Sequence, residues 1–270
     1  MKVLFIGDVV GKPGRFATYD FLGKIGTDES PIPSLTRDYV DFIIANGENS
    51  AGGKGITPPI ADEFFNNGID VITGGNHIWS QKEIIEYINR EERLLRPLNF
   101  PEGVPGRGSG IFLAQEQYKV GVIHICGRVF MHCCDCPFRT VSREIEWMQQ
   151  HTKIIIIDFH AEATSEKVAM GWFLDGKVSA CIGTHTHIPT ADERILPNGT
   201  AYITDVGMTG PYDSVIGVEK ETIINTFQTQ MLARHKVAQH DIKLSAVLIE
   251  IDPLTGKATD IQRISYQYKS

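Results

Sequence analysis

His185-Thr186-His187 is the sharpest chemical signal in the chain. In extended backbone, residues two apart share a face, so both imidazoles can address one site. Four further segments carry residues of metal-ligand type: Asp8, the pair Glu48 and Asn49, the pair Asn76 and His77, and His160. Each alone has an ordinary explanation. An Asp after a strand is usually a helix N-cap, Asn-Gly and Gly-Gly usually mark turns, and a lone His is more often a satisfied structural residue. The weight lies in where they fall. Each segment follows a short apolar run, with Gly7, Gly47, Gly74-Gly75 and Gly183 just ahead to permit sharp turns and close backbone approach. Ligand sites in open α/β sheets form outside the carboxyl ends of the strands. Five strand ends delivering carboxylate, amide oxygen and imidazole to one side of a sheet therefore point to a metal centre.

The donor types narrow the metal. No thiolate is among them, and mixed oxygen and nitrogen ligation suits Mn, Fe or Zn better than Mg or Ca. Two carboxylates, two amides and three imidazoles exceed what one ion needs. Two ions sharing a bridging carboxylate is the simplest arrangement, with Fe or Mn favoured, Zn allowed, and either divalent or mixed-valence states open.

The elements that must position these residues are short. Runs rich in Val and Ile over 2–7, 39–45, 70–73, 120–125, 153–157 and 178–182 read as buried strands. Between several of them lie helix-like segments over 60–67, 81–91 and 139–151, with another at 219–235. That alternation implies an α/β fold with helices covering the sheet faces. The last third reads differently: 194–196, 201–204, 244–251 and 261–268 look like hairpin-forming strands, so a second, largely antiparallel sheet is expected. With no repeat, low-complexity tract or linker in view, residues 1–270 are expected to form a single domain.

Composition excludes some roles. A net charge of −7 is repulsive to long nucleic acid, whose affinity comes mostly from Lys and Arg neutralising phosphates. Small anionic substrates stay open, because a local cation or metal overcomes the global field. The apolar start is broken at Asp8 and too short for a signal peptide, and no run approaches the ~18 apolar residues of a membrane span. Five cysteines, four of them within 126–136, do not look like a disulfide framework, which fits a reducing cytoplasm.

Taken in order, Gly7-Asp8, Gly47-Glu48-Asn49, Gly75-Asn76-His77, His160 and Gly183-Thr184-His185-Thr186-His187 resemble the signature of the calcineurin-like metallophosphoesterases. More closely they resemble the bacterial YmdB-like branch. Its marks are Gly7-Asp8-Val9-Val10-Gly11-Lys12-Pro13-Gly14-Arg15, Asn46-Gly47-Glu48-Asn49, Gly74-Gly75-Asn76-His77, Asp158-Phe159-His160-Ala161-Glu162 and Asp205-Val206-Gly207-Met208-Thr209-Gly210-Pro211. Two positions depart from the wider superfamily and follow this branch: Val10 stands where a His is usual, and Glu48 where the bridging residue is usually Asp. The resemblance implies an α-β-β-α sandwich of two mixed sheets. It implies Asp8, Glu48, Asn49 and His187 on one metal, and Glu48, Asn76, His160 and His185 on the other. Asn49 has an alternative role, hydrogen-bonding a substrate oxygen. His77, beside a ligand but not needed as one, is the candidate general acid, or else a residue that orients a ligand.

The activity implied is hydrolysis of small phosphodiesters, with 2′,3′-cyclic nucleotides favoured and nucleoside 3′-phosphates as products. A phosphomonoesterase or protein phosphatase on the same core is the nearest rival. A slowly turning-over nucleotide sensor is the non-enzyme rival. Substrate-side residues are not identified; Arg15, Lys54 and Arg128 are candidates that are more often plain surface charges. Two motifs mislead. The run 48–55 resembles a phosphate-binding P-loop but begins with Glu and has Gly55 where Ser or Thr is required. Cys133 and Cys136 have zinc-like spacing, yet no second Cys or His pair follows at a matching separation, so a loop beside the active site is expected there.

Overall fold

The computed structural model describes residues 1–27, 29–30 and 40–269. Its first sheet is built on β1 (Lys2–Ile6), whose side chains alternate between two buried faces. Parallel to it run β3 (Phe42–Asn46), β4 (Val71–Thr73) and β5 (Leu94–Leu95). On its other side β1 pairs antiparallel with β13 (Ile242–Ile251), which forms a hairpin with β14 (Ala258–Gln267). The short β2 (Asp8–Val9) pairs with β12 (Met208–Pro211), and β12 in turn pairs with β13. In the second sheet, β7 (Tyr118–Cys126), β8 (Ile154–His160), β9 (Ala180–Thr184) and β11 (Ala201–Ile203) run parallel. Antiparallel edges are supplied by β6 (Ser109–Ala114) and β10 (Arg194–Ile195).

Three apolar layers show why both sheets read as continuous runs of Val and Ile rather than alternating patterns. Val3, Phe5 and Ile44 of the first sheet meet Val122, Ile156 and Ile182 of the second. On the first sheet's outer face, Leu4, Ile6 and Ile72 lie under α1 (Gly11–Lys24), α2 (Pro58–Asn66) and α3 (Ile84–Tyr87). On the second's outer face, Ile155, Ile157 and Cys181 lie under α4 (Pro137–Met148) and α5 (Thr164–Leu174). The result is helix, sheet, sheet, helix, as the resemblance implied.

Several elements differ from expectation. Strands β13 and β14 join the first sheet beside β1, so the second sheet is mainly parallel and formed from the middle of the chain. The expected helix over 81–91 narrows to α3, and the one over 219–235 to α6 (Lys220–Thr229), which ends where Gln230 turns left-handed at φ 60°. The expected strand start at Tyr39 lies outside the described residues. Helices α1 and α5 have no counterpart among the expected elements. The first carries Gly11, Pro13, Gly14 and Gly23, and packs small residues on β12 instead of an apolar stripe. The second buries Lys167 and exposes Trp172, which scrambles the periodic signal.

Candidate metal centre

Strand ends from both sheets deliver the site, which lies at the seam between them and not along one sheet. Asp8 and Glu48-Asn49 follow β1 and β3, and Asn76 follows β4; His160 closes β8, and His185 and His187 follow β9. All seven are brought together, and His77 stands at their edge.

Protonation can be read from partners, and it leaves lone pairs facing lone pairs. Thr184 Oγ1 donates to Asp158 Oδ1 at 2.6 Å, so it must accept from His160 Nδ1 at 2.8 Å. That leaves His160 Nε2 bare. Around this nitrogen stand Glu48 Oε2 at 2.5 Å, Asn76 Oδ1 at 3.1 Å and His185 Nδ1 at 3.1 Å. His185 Nε2 lies 3.2 Å from Glu162 Oε2 and carries the proton, so its Nδ1 is bare too. His187 donates from Nδ1 to Ile216 O at 2.8 Å, and its bare Nε2 faces Asn49 Oδ1 at 3.2 Å. The Asn49 amide is oriented by its Nδ2, which donates to Gly53 O. Glu48 Oε2 is buried without a hydrogen-bond donor. Four metal-donor atoms converging on each other, with no hydrogen bond supplied to Glu48 Oε2 by the surrounding protein, is an arrangement that a cation satisfies. Glu48, His160 and His185 offer donor atoms all within 4.8 Å of one another.

Electrostatics agree. Burial, then the neighbouring charges of Asp205, Glu48 and Asp158, hold the Asp8 carboxyl well above its usual range. Burial raises Glu48 as well. Burial pushes His160 well below the normal imidazole value and His185 down to about 3, so both rings are neutral, as ligation requires. Burial also lowers His77, against the pull of Glu48, whose Oε1 lies 3.7 Å from His77 Nε2.

The backbone is shaped for this purpose. His185 and His187 hold positive φ of 101° and 65°, unusual for side-chain-bearing residues. Their loop is gripped from beneath by a buried ion pair: Lys167 Nζ donates to Thr184 O at 2.6 Å and to Asp205 Oδ2 at 2.5 Å. Asp205 Oδ2 also accepts the Thr186 N–H, and Asp8 accepts that of His185. Gly75 has φ 55°, and a Cβ there would fall 1.3 Å from Glu48 Oε2. Sequence reading misses these supports. Asp158, two residues before His160 and so on the same face, is the legible one; it also lies 3.2 Å from the buried His124 Nδ1.

Outside the cluster, the expectations divide. A cavity of about 740 Å³ opens over the site, and Lys54 and His77 line it. Arg15 does not reach it; its Nη1 is tied to Ser50 O and its Nε lies 3.6 Å from Glu63. Arg128 is held by its backbone N–H on Glu166. The five cysteines are unpaired, and Cys134 Sγ accepts from Asn99. The neighbouring Phe130, Met131 and His132 form a smaller cavity with Asn76 and His185, so this loop does border the site. The motif run 205–211 ends in strand β12 (Met208–Pro211).

A two-sheet sandwich that gathers such a donor set at its strand ends belongs to the metal-dependent phosphoesterases. Within that class the chain is a member of the YmdB-like protein family, whose model matches residues 4–264. It is 49% identical over 264 residues to the 2′,3′-cyclic-nucleotide 2′-phosphodiesterase of Bacillus subtilis (strain 168), covering 98% of this chain and 96% of that one. Among solved structures it is similar to a hypothetical protein from Thermus thermophilus (TM-score 0.90, 38% identity, 100% of both chains). A phosphatase from Mycoplasma pneumoniae is also similar, with TM-score 0.89 and 34% identity over 99% of this chain and 93% of that one.

Proposed function

We propose that this chain hydrolyses 2′,3′-cyclic nucleotides to nucleoside 3′-phosphates, with two metal ions held by Asp8, Glu48, Asn49, Asn76, His160, His185 and His187. The observation that carries the reading is the convergence of Glu48 Oε2, Asn76 Oδ1 and His185 Nδ1 within hydrogen-bond distance of His160 Nε2. The phosphodiesterase activity of the Bacillus relative supports the substrate class. Fe or Mn fits the mixed donor set best, with Zn allowed.

When bound, the ions supply an activated water and a clamp on the phosphoryl oxygens. The chain's own residues do the rest. Glu48, whose Oε2 lies 2.5 Å from His160 Nε2 and whose carboxyl also feels His185 and His187, is the residue we assign to a bridging role. Water forms a bond to phosphorus as the bond to O2′ breaks, and the departing O2′ needs a proton. His77, on the cavity wall and 29% exposed, is placed to give it. Small substrates suit a cavity of this size in an acidic protein, and among the described residues no helix is long and apolar enough to cross a membrane.

The test pairs metal analysis with turnover of a 2′,3′-cyclic nucleotide by wild type and His77→Ala. The variant should keep about two metals per chain while kcat falls roughly 10²- to 10⁴-fold. Full activity in the variant would remove His77 as the acid, and one metal or none in the wild type would sink the dinuclear arrangement. Comparing bis-(p-nitrophenyl) phosphate with its monoester separates diesterase from monoesterase.

A further inference from the structure

The cavity carries more positive charge than the cleaved phosphate requires. Among its lining residues are Lys54, His235 and Lys236, although the chain has 33 acidic residues against 26 Lys and Arg. These groups come from segments far apart in sequence, and a specific contact joins them. Val237 packs so tightly on Gly53 that a Cβ there would meet Val237 Cγ2 at 3.0 Å; one on Gly11 would meet Cγ1 at 2.9 Å. Gly53 immediately precedes Lys54, and Val237 immediately follows Lys236, so the close approach brings the two lysine-bearing segments together, and both lysines line the same cavity.

Both segments are held in place. Lys54 O accepts from Gln81 Nε2 at 2.7 Å, and Ala51 N–H donates to Gly55 O across the loop. Lys236 O accepts from Glu219 N–H at 3.0 Å, and Val237 bridges to Val218. Among the described residues, neither lysine is ion-paired with a carboxylate. Of the two acids that line the cavity, Glu48 belongs to the metal centre beside His160 and Glu162 is engaged with His185.

We propose that Lys54, Lys236 and His235 form a second anion subsite, which takes a phosphate of the substrate other than the one cleaved. The proposal rests on the phosphodiesterase reading above. The metal donors answer the charge of the scissile phosphate, so the lysines match a further one. Ile188 and Ile216, exposed on the cavity wall, offer apolar surface for the nucleoside between them. The matching substrate is a cyclic phosphate that also carries either a 5′-phosphoryl group or an internucleotide phosphate.

The experiment measures kcat/KM of the metal-loaded protein on three substrates. They are adenosine 2′,3′-cyclic phosphate, its 5′-phosphorylated form, and a dinucleotide ending in a 2′,3′-cyclic phosphate. Wild type should favour at least one phosphate-bearing substrate over the plain one by roughly 5- to 30-fold, as expected for two partly exposed cation–phosphate contacts. That ratio should fall towards one in Lys54→Met/Lys236→Met, and should shrink at high salt. Using a ratio cancels any general loss of metal or fold. A preference for only one of the two identifies the source of the phosphate. A ratio near one for both in wild type, or a preference that survives in the double variant, overturns the subsite. Hydrolysis without preference removes the subsite alone, whereas no hydrolysis of any of the three removes the phosphodiesterase reading and the subsite with it.

Discussion

Asp8 and Glu48 are buried carboxyls whose proton affinity is raised by burial, and for Asp8 also by Asp205, Glu48 and Asp158. In metal-free protein the folded state therefore holds protons that the unfolded chain releases at lower pH. These groups accordingly cost stability as pH rises through their raised values, and a bound cation removes the cost. The increase in unfolding temperature on adding Mn²⁺ should thus be larger at pH 8 than at pH 6; an increment that shrinks at pH 8 would contradict it. With Glu48 assigned to both proposed ions, Glu48→Gln should lower metal content by more than one ion per chain; a loss of one ion or fewer would contradict that assignment. The residues of the cluster were legible because Asp, Glu, Asn and His are conspicuous at the ends of Val- and Ile-rich runs. Thr184 does not stand out as functional: it has an ordinary role in a strand, and only its hydrogen bonds to His160 and Asp158 show what it orients.

Helix α5 illustrates why supports escape a sequence reading. Its buried face includes Lys167, which interrupts the apolar stripe by which a helix announces itself. Yet that lysine, with Asp205, holds the loop after β9 that carries His185 and His187. Lys167→Met should leave Asp205 as an unpaired buried charge and cost about 3–5 kcal/mol in chemical denaturation. Lys167→Met/Asp205→Asn should recover part of that loss; no recovery would mean that the pair does not act as a unit. At the end of β4, Gly75→Ala forces a Cβ into Glu48 in a left-handed backbone position. Metal content should collapse, while far-ultraviolet circular dichroism stays near that of wild type. The strands of the parallel cores were legible from their runs, whereas partner choice was not. Nothing in 244–251 tells that it pairs with residues 2–6, because both are simply buried β-branched sequence.

At the scale of the molecule, the two sheets share one apolar layer and one set of donors. Phe5→Ala, which empties the middle of that layer, should cost about 3–5 kcal/mol. Because the site spans the same seam, bound metal should offset part of the loss, seen as a smaller deficit in unfolding temperature for the metallated variant than for the metal-free one. Equal deficits would show that the metals do not tie the sheets together. The seam also bears on how the protein is made. Asp8 accepts its hydrogen bond from His185, 177 residues away, and the strand before Asp8 is flanked by β13, near the other end of the sequence. A ribosome therefore delivers the first carboxylates long before the imidazoles that complete them, and domains of such high contact order close late. The proposed metal site is therefore complete only once the chain beyond His187 has been made and its strands have paired.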